Sequence, residues 1–99
     1  MPKKDKKEVQ KLYQAILSLQ TAEECAAFFD DICTIQELEA LSQRFQVACE
    51  LQAGKSYIDI NKSTGASTAT ICRVSKCLNY GDGGYKTAID RIGESNDDN

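Results

Sequence analysis

Residues Ser63–Gly81 read STGASTATICRVSKCLNYG. The first half is a run of Ser, Thr, Gly and Ala that ends at Thr70. The second half continues as a helix with Ile71, Val74 and Leu78 on one face. Small and hydroxyl side chains are poor core builders. They suit either a solvated loop or a helix whose first turn is kept slim so that it can approach another surface closely. Gly65 allows the chain to reverse, because glycine takes a left-handed backbone at little cost. Just upstream, Ser56 is placed to cap a short helix bearing Tyr57, Ile58 and Ile60. Residues 57–79 thus have the spacing of a helix-turn-helix, in which the second helix packs its apolar residues back on the first. Asn61 departs from that pattern, standing where a small apolar residue is usual.

In such a unit the second helix enters the DNA major groove by its N-terminal end. Ser67, Thr68 and Ala69 open it here. Short side chains let the backbone come close, hydroxyls can meet base edges, and the first N–H groups attract phosphate. Cys72, Arg73, Lys76 and Asn79 lie off the apolar face, and Lys55 and Lys62 flank the first helix of the unit. These residues form the candidate DNA-contacting set, and a groove explains the slim start better than a loop does.

The charge distribution agrees, although the chain as a whole carries −3. Residues 1–11 hold five lysines and two acids, and residues 55–86 hold five basic and two acidic groups. Between them, residues 12–54 have seven acids and Arg44 alone, and residues 87–99 are again acidic. A basic segment around the helix-turn-helix of an acidic chain is the footprint of a local phosphate-contacting surface.

The rest reads as helices, with no alternating β-branched run. Val9, Leu12, Tyr13, Ile16 and Leu19 form one amphipathic stripe. Thr21 with Glu24, and Thr34 with Glu37, are two capping boxes. The first opens a short helix with Cys25, Phe28, Phe29 and Ile32. The second opens the longest helix, to about Ala53, with Leu38, Leu41, Phe45, Ala48 and Leu51 expected inward and Gly54 at its end. After a flexible break at Gly81–Gly84, a last helix is expected over about Tyr85 to Ile92. One domain over 1–93 and an acidic disordered tail over 94–99 follow. Six short helices leave little apolar surface each, and the first has no obvious partner within the chain. A second copy is the economical answer, and an ordinary compact monomer is the alternative.

A composition of 41% hydrophobic and 27% charged residues suits a soluble globular protein, and no run nears the apolar length of a membrane span. The basic N-terminus lacks a signal-peptide core, which makes the cytoplasm the expected location. Five cysteines with no CxxC spacing, and no histidine, argue against a zinc site and point to free buried thiols. No cofactor is expected. Catalysis is disfavoured, because no histidine can act as a base and Cys72 has no activating neighbour.

The residues GASTATICRVSKCLNYG resemble the recognition helix of the Trp repressor superfamily, whose mark is a Gly-Ala turn and a hydroxyl-rich helix start. More narrowly, the continuation CLNYGDGGY is similar to the Trp repressor-related YerC/YecD family. The likeness reaches back through TIQELEALSQRFQVACELQAGKSY and spans most of residues 8–92. It implies an all-α, six-helix fold forming an intertwined homodimer that presents two helix-turn-helix units to successive major grooves of a pseudo-palindromic operator. It also implies a candidate effector site at Thr34, Arg44, Thr70 and Arg73. Val74 stands where the repressor has a glycine against the indole, and overpacking of that kind costs about 1–3 kcal/mol. Tryptophan is therefore disfavoured; the two arginines can hold another small acid or amino acid, or serve instead in an intersubunit ion pair at Arg44 and a phosphate contact at Arg73. The expected function is a sequence-specific DNA-binding regulator, a repressor by resemblance. The alternative is a protein-interaction module that keeps the fold without reading DNA.

Overall fold

The computed structural model describes the backbone of residues 6–97 and the side chains of residues 6–93. It is all-α, in the order α1 (Lys6–Ser18), α2 (Ala22–Ile32), α3 (Ile35–Gln52), α4 (Tyr57–Thr64), α5 (Thr68–Tyr80) and α6 (Gly84–Asp97). Four of the six starts are set by a hydroxyl that accepts a backbone N–H three residues on: Thr21 from Glu24, Thr34 from Glu37, Ser56 from Asp59 and Ser67 from Thr70. The box at Thr34 is reciprocal, because its own N–H donates back to Glu37 Oε1 at 2.8 Å. The box at Thr21 is shifted: Glu24 Oε1 accepts from Gln20 N–H, one residue before the cap.

Two glycine endings shape the middle of the chain. Gly54 has φ +88, with Gly54 N–H donating to Leu51 O and Lys55 N–H to Glu50 O, the paired bonds of a Schellman ending. Gly65 has φ +77 and a single bond from its N–H to Asn61 O. A Cβ at Gly65 would meet nothing within 4 Å, so the left-handed backbone and not lack of space is what calls for glycine there.

The chain divides into two compact units, Met1–Leu38 and Glu39–Asn99. In the first, α1 and α2 bury no residue. Phe28 and Phe29 pack edge to face at 5.4 Å, while Leu17 and Ile35 are 82% and 75% exposed. In the second, Val47, Ala48, Ile60, Ala66, Ile71 and Val74 form a closed core, with Leu51, Tyr85 and Ile89 against it.

Three expectations need correction. The buried side of α3 is turned by about a quarter of the helix from the expected face. Ala48 is buried as expected, but Val47 and Glu50 are buried with it, whereas Leu41 is exposed. α3 carries two apolar stripes, and the one through Val47 and Leu51 joins the core of α4 and α5, while Phe45 stacks on Tyr85 of α6 at 6.4 Å. The last helix runs to Asp97, beyond the expected end near Ile92, and Gly93 lies within it without the left-handed backbone that ends helices at Gly65 and Gly54. The expected tail over 94–99 thus falls partly in α6, and residues 98–99 lie outside the described residues. The cysteines are free but not buried: Cys25, Cys72 and Cys77 are exposed, and Cys33 and Cys49 half-buried. Cys72 and Cys77 each sit one position from a core residue of α5, Ile71 and Leu78, which turns them off the buried face.

Candidate nucleic-acid interface

The helix-turn-helix is α4, the turn at Gly65 and Ala66, and α5. Ile60 on α4 meets Ile71 and Val74 on α5, with Ala66 filling the bend, and all four are buried. Three side chains lock the bend by hydrogen bonds. Asn61 Nδ2 donates to Ala66 O at 2.7 Å. Thr64 Oγ1 donates to Ile60 O at 2.7 Å and accepts from Ala66 N–H at 3.1 Å. Gln43 Nε2 of α3 donates to Thr64 O at 3.2 Å. Asn61, out of place in the sequence pattern, thus satisfies a carbonyl on a buried residue that would otherwise be costly to leave unpaired.

A buried acid fastens α4 to α3. Glu50 is only 7% exposed, and its carboxylate accepts Ser63 Oγ at 2.5 Å on one oxygen and Gln46 Nε2 at 3.0 Å on the other. Lys55 Nζ lies at 4.0 Å. The Ser63 bond first, then the Gln46 bond, hold its pKa below the usual carboxylate range against the opposing effect of burial, with Lys55 adding to the lowering. The neighbouring Cys49 thiol is pushed up, by burial first and by the Glu50 charge second, and so remains a thiol at neutral pH.

The candidate DNA-contacting residues all lie on the surface, and those on α5 lie off the side that carries Ile71, Val74 and Leu78. Lys55, Lys62, Ser67, Thr68, Ala69, Cys72, Arg73, Lys76 and Asn79 are all exposed. Ser67 Oγ is committed to the cap, accepting from Thr70 N–H and donating to Thr70 Oγ1. Thr68 is therefore the first hydroxyl on α5 with no capping duty. Acids stand in the first turns of α1 to α4, at Glu8, Glu23 and Glu24, Glu37 and Asp59, but none in that of α5. The positive end of its dipole is left uncompensated.

The candidate effector residues are divided between the two units. Thr34 is in the first unit and caps α3. In the second unit Arg44 and Thr70 are half-buried and Arg73 is exposed. Neither arginine is ion-paired among the described residues. Val74 is 1% exposed and belongs to the core. A hollow of about 430 Å³ walled by Phe45, Cys77, Tyr85 and Ala88, and another of about 260 Å³ at Tyr57, Ile58, Asn61, Lys62 and Thr68, involve none of the four.

The family model described as "Trp repressor protein" matches residues 7–93. The chain belongs to the Trp repressor family. A relative from Bacillus subtilis (strain 168), described as "Uncharacterized protein YerC", is 53% identical over 89 residues, covering 90% of this chain and 86% of that protein. The crystal structure of a TrpR like protein from Eubacterium eligens ATCC 27750 is 52% identical, with a TM-score of 0.85 over 88% of this chain and 90% of that one. A second crystal structure, from Staphylococcus aureus, is 42% identical, with a TM-score of 0.84 over 91% and 94%. The Trp repressor fold expected from the recognition-helix residues is the fold observed. Among the described residues, no helix is long and apolar enough to cross a membrane.

Three contributors were missed in the sequence. Glu50 stands three positions from Val47 on the buried side of α3, and it was hidden because the chain does not say which side of α3 is buried. Gln43 acts on a backbone carbonyl, which leaves no mark in a pattern of side chains; Asn61 stands out in that pattern, but its carbonyl partner does not.

Proposed function

We propose that this chain is a homodimeric, sequence-specific DNA-binding regulator of transcription, a repressor rather than an enzyme, working in the cytoplasm. The observation that carries the reading is the start of α5. Ser67, Thr68 and Ala69 are short and exposed, no acid stands in the first turn, and Lys62, Arg73 and Lys76 are exposed alongside. Such a helix end can slide between two sugar-phosphate ridges, its backbone N–H groups near phosphate and Thr68 and Cys72 near base edges. Cations to either side would set the register, and a rigid turn would hold the angle of approach.

The dimer is supported by the first unit. Helices of 13 and 11 residues that bury nothing are marginal alone in water, and their exposed Val9, Leu12, Leu17 and Ile32 need covering. A second copy would supply the cover and a second recognition helix, as a pseudo-palindromic operator needs. A carboxylate-bearing effector held by Arg44 and Arg73, with Thr70 of the same unit, belongs to the same reading. Val74 in the core leaves tryptophan disfavoured.

The test is selection of bound fragments from a genomic DNA pool by the purified protein, repeated with a panel of amino acids. A recurring, roughly symmetrical site is expected, with an affinity that falls steeply with salt as phosphate-bound counterions are released. Binding without preference over random DNA would contradict the reading. A stable protein partner captured in its place would favour an interaction module on the same fold.

A further inference from the structure

We propose that Ile58 reads the methyl group of a thymine and so sets part of the sequence preference of this protein, an inference that rests on the DNA-binding reading above. Ile58 is 70% exposed, on a helix whose sole buried residue is Ile60. One exposed isoleucine needs no explanation by itself. Its surroundings supply one. With Tyr57, Asn61, Lys62 and Thr68 it lines a hollow of about 260 Å³, formed where α4 faces the start of α5. Residues four apart stack along one side of a helix, so Ile58 lies beside Lys62 and Tyr57 beside Asn61. The wall therefore has an apolar part at Ile58 and Tyr57, a polar part at Asn61 and Lys62, and the uncommitted Thr68 hydroxyl as its far edge.

DNA offers few groups that match such a wall. Phosphate suits Lys62, and a base-edge donor or acceptor suits Thr68 or Asn61. Neither suits isoleucine, which would strip water from them and return nothing. The one apolar group on the base edges of the major groove is the thymine 5-methyl. The hollow is continuous with the proposed groove-facing surface through Thr68, so the methyl is the occupant that fits both the apolar wall and its place. The deoxyribose is the other apolar surface of a duplex, and it carries no sequence information.

The fragment selected by the wild-type protein is remade with deoxyuridine in place of thymine, one position at a time. Each probe is titrated with wild type, Ile58→Ala and Ile58→Val, and melting curves check that all three fold. At one or two symmetry-related positions, loss of the methyl should weaken wild-type binding about fourfold, the worth of one buried methyl-sized group. That penalty should vanish in Ile58→Ala and persist in Ile58→Val. A penalty that is the same in all three proteins, or absent from every position, overturns the inference and leaves the DNA reading intact. So does a uniform loss with Ile58→Ala on thymine and uracil probes alike, which would assign the side chain to the sugar. A wild-type protein that selects no fragment overturns both.

Discussion

The two units of this small chain solve the problem of burial in opposite ways. From Glu39 onward, most of α3 with α4, α5 and α6 closes a core in which Val47, Ala48, Ile60 and Ile71 are wholly inaccessible. Up to Leu38, two amphipathic helices bury nothing and leave leucine, isoleucine and tyrosine facing water. The second unit has the contents of a domain that holds its own shape. The first has apolar residues that nothing in its own helices covers. Under the function proposed above, the second unit is the reading head and keeps its geometry by itself, while a second copy would supply symmetry.

Substitutions separate the two. The largest effect is expected from Ile60→Ala, which empties the middle of the second core and should cost about 2–5 kcal/mol of stability, read by denaturant unfolding. The loss should be the same at every protein concentration; a concentration-dependent loss would mean that the core is completed by another copy. Asn61→Ala comes next. It leaves the carbonyl of buried Ala66 without its partner, and about 1–3 kcal/mol should be lost. DNA affinity should fall with it, because the bend sets the angle of α5. Unchanged stability would show that water replaces the amide.

Acid gives a third probe. Glu50 has its pKa lowered by Ser63 and Gln46, so its contribution to stability is full above the usual glutamate range and fades as pH falls through that range to its folded value. Unfolding at mildly acidic pH should therefore be steeper for wild type than for Glu50→Gln. Equal slopes would take Glu50 out of the acid response. The smallest effect on the second core is expected from Leu17→Glu, within about 0.5 kcal/mol, while sedimentation equilibrium should show a much weaker dimer. A dimer of undiminished strength would remove α1 from the interface.

The sequence was most legible where local chemistry is decisive. Every helix start marked by Ser or Thr was found at the marked residue, and the glycines at 54 and 65 end helices as their type predicts. It was least legible where packing chooses between equals. α3 carries two apolar stripes, and nothing along the chain says that Val47 and not Leu41 goes inward; only the arrival of α4 and α5 decides it. The candidate DNA-contacting residues were visible because exposure on α5 follows directly from the positions of Ile71, Val74 and Leu78. The ties of Asn61 and Gln43 were not, because their partners are carbonyl groups that every residue has.

The central claim concerns one position, Thr68. A carboxylate there would stand among phosphates if α5 enters a groove, and in water if it does not. Binding of the selected fragment by Thr68→Glu, measured beside its melting curve and sedimentation, tests this most directly. Lost binding by a protein that melts and dimerises like wild type is the predicted result. Retained binding, or binding lost only because the dimer falls apart, would contradict the account.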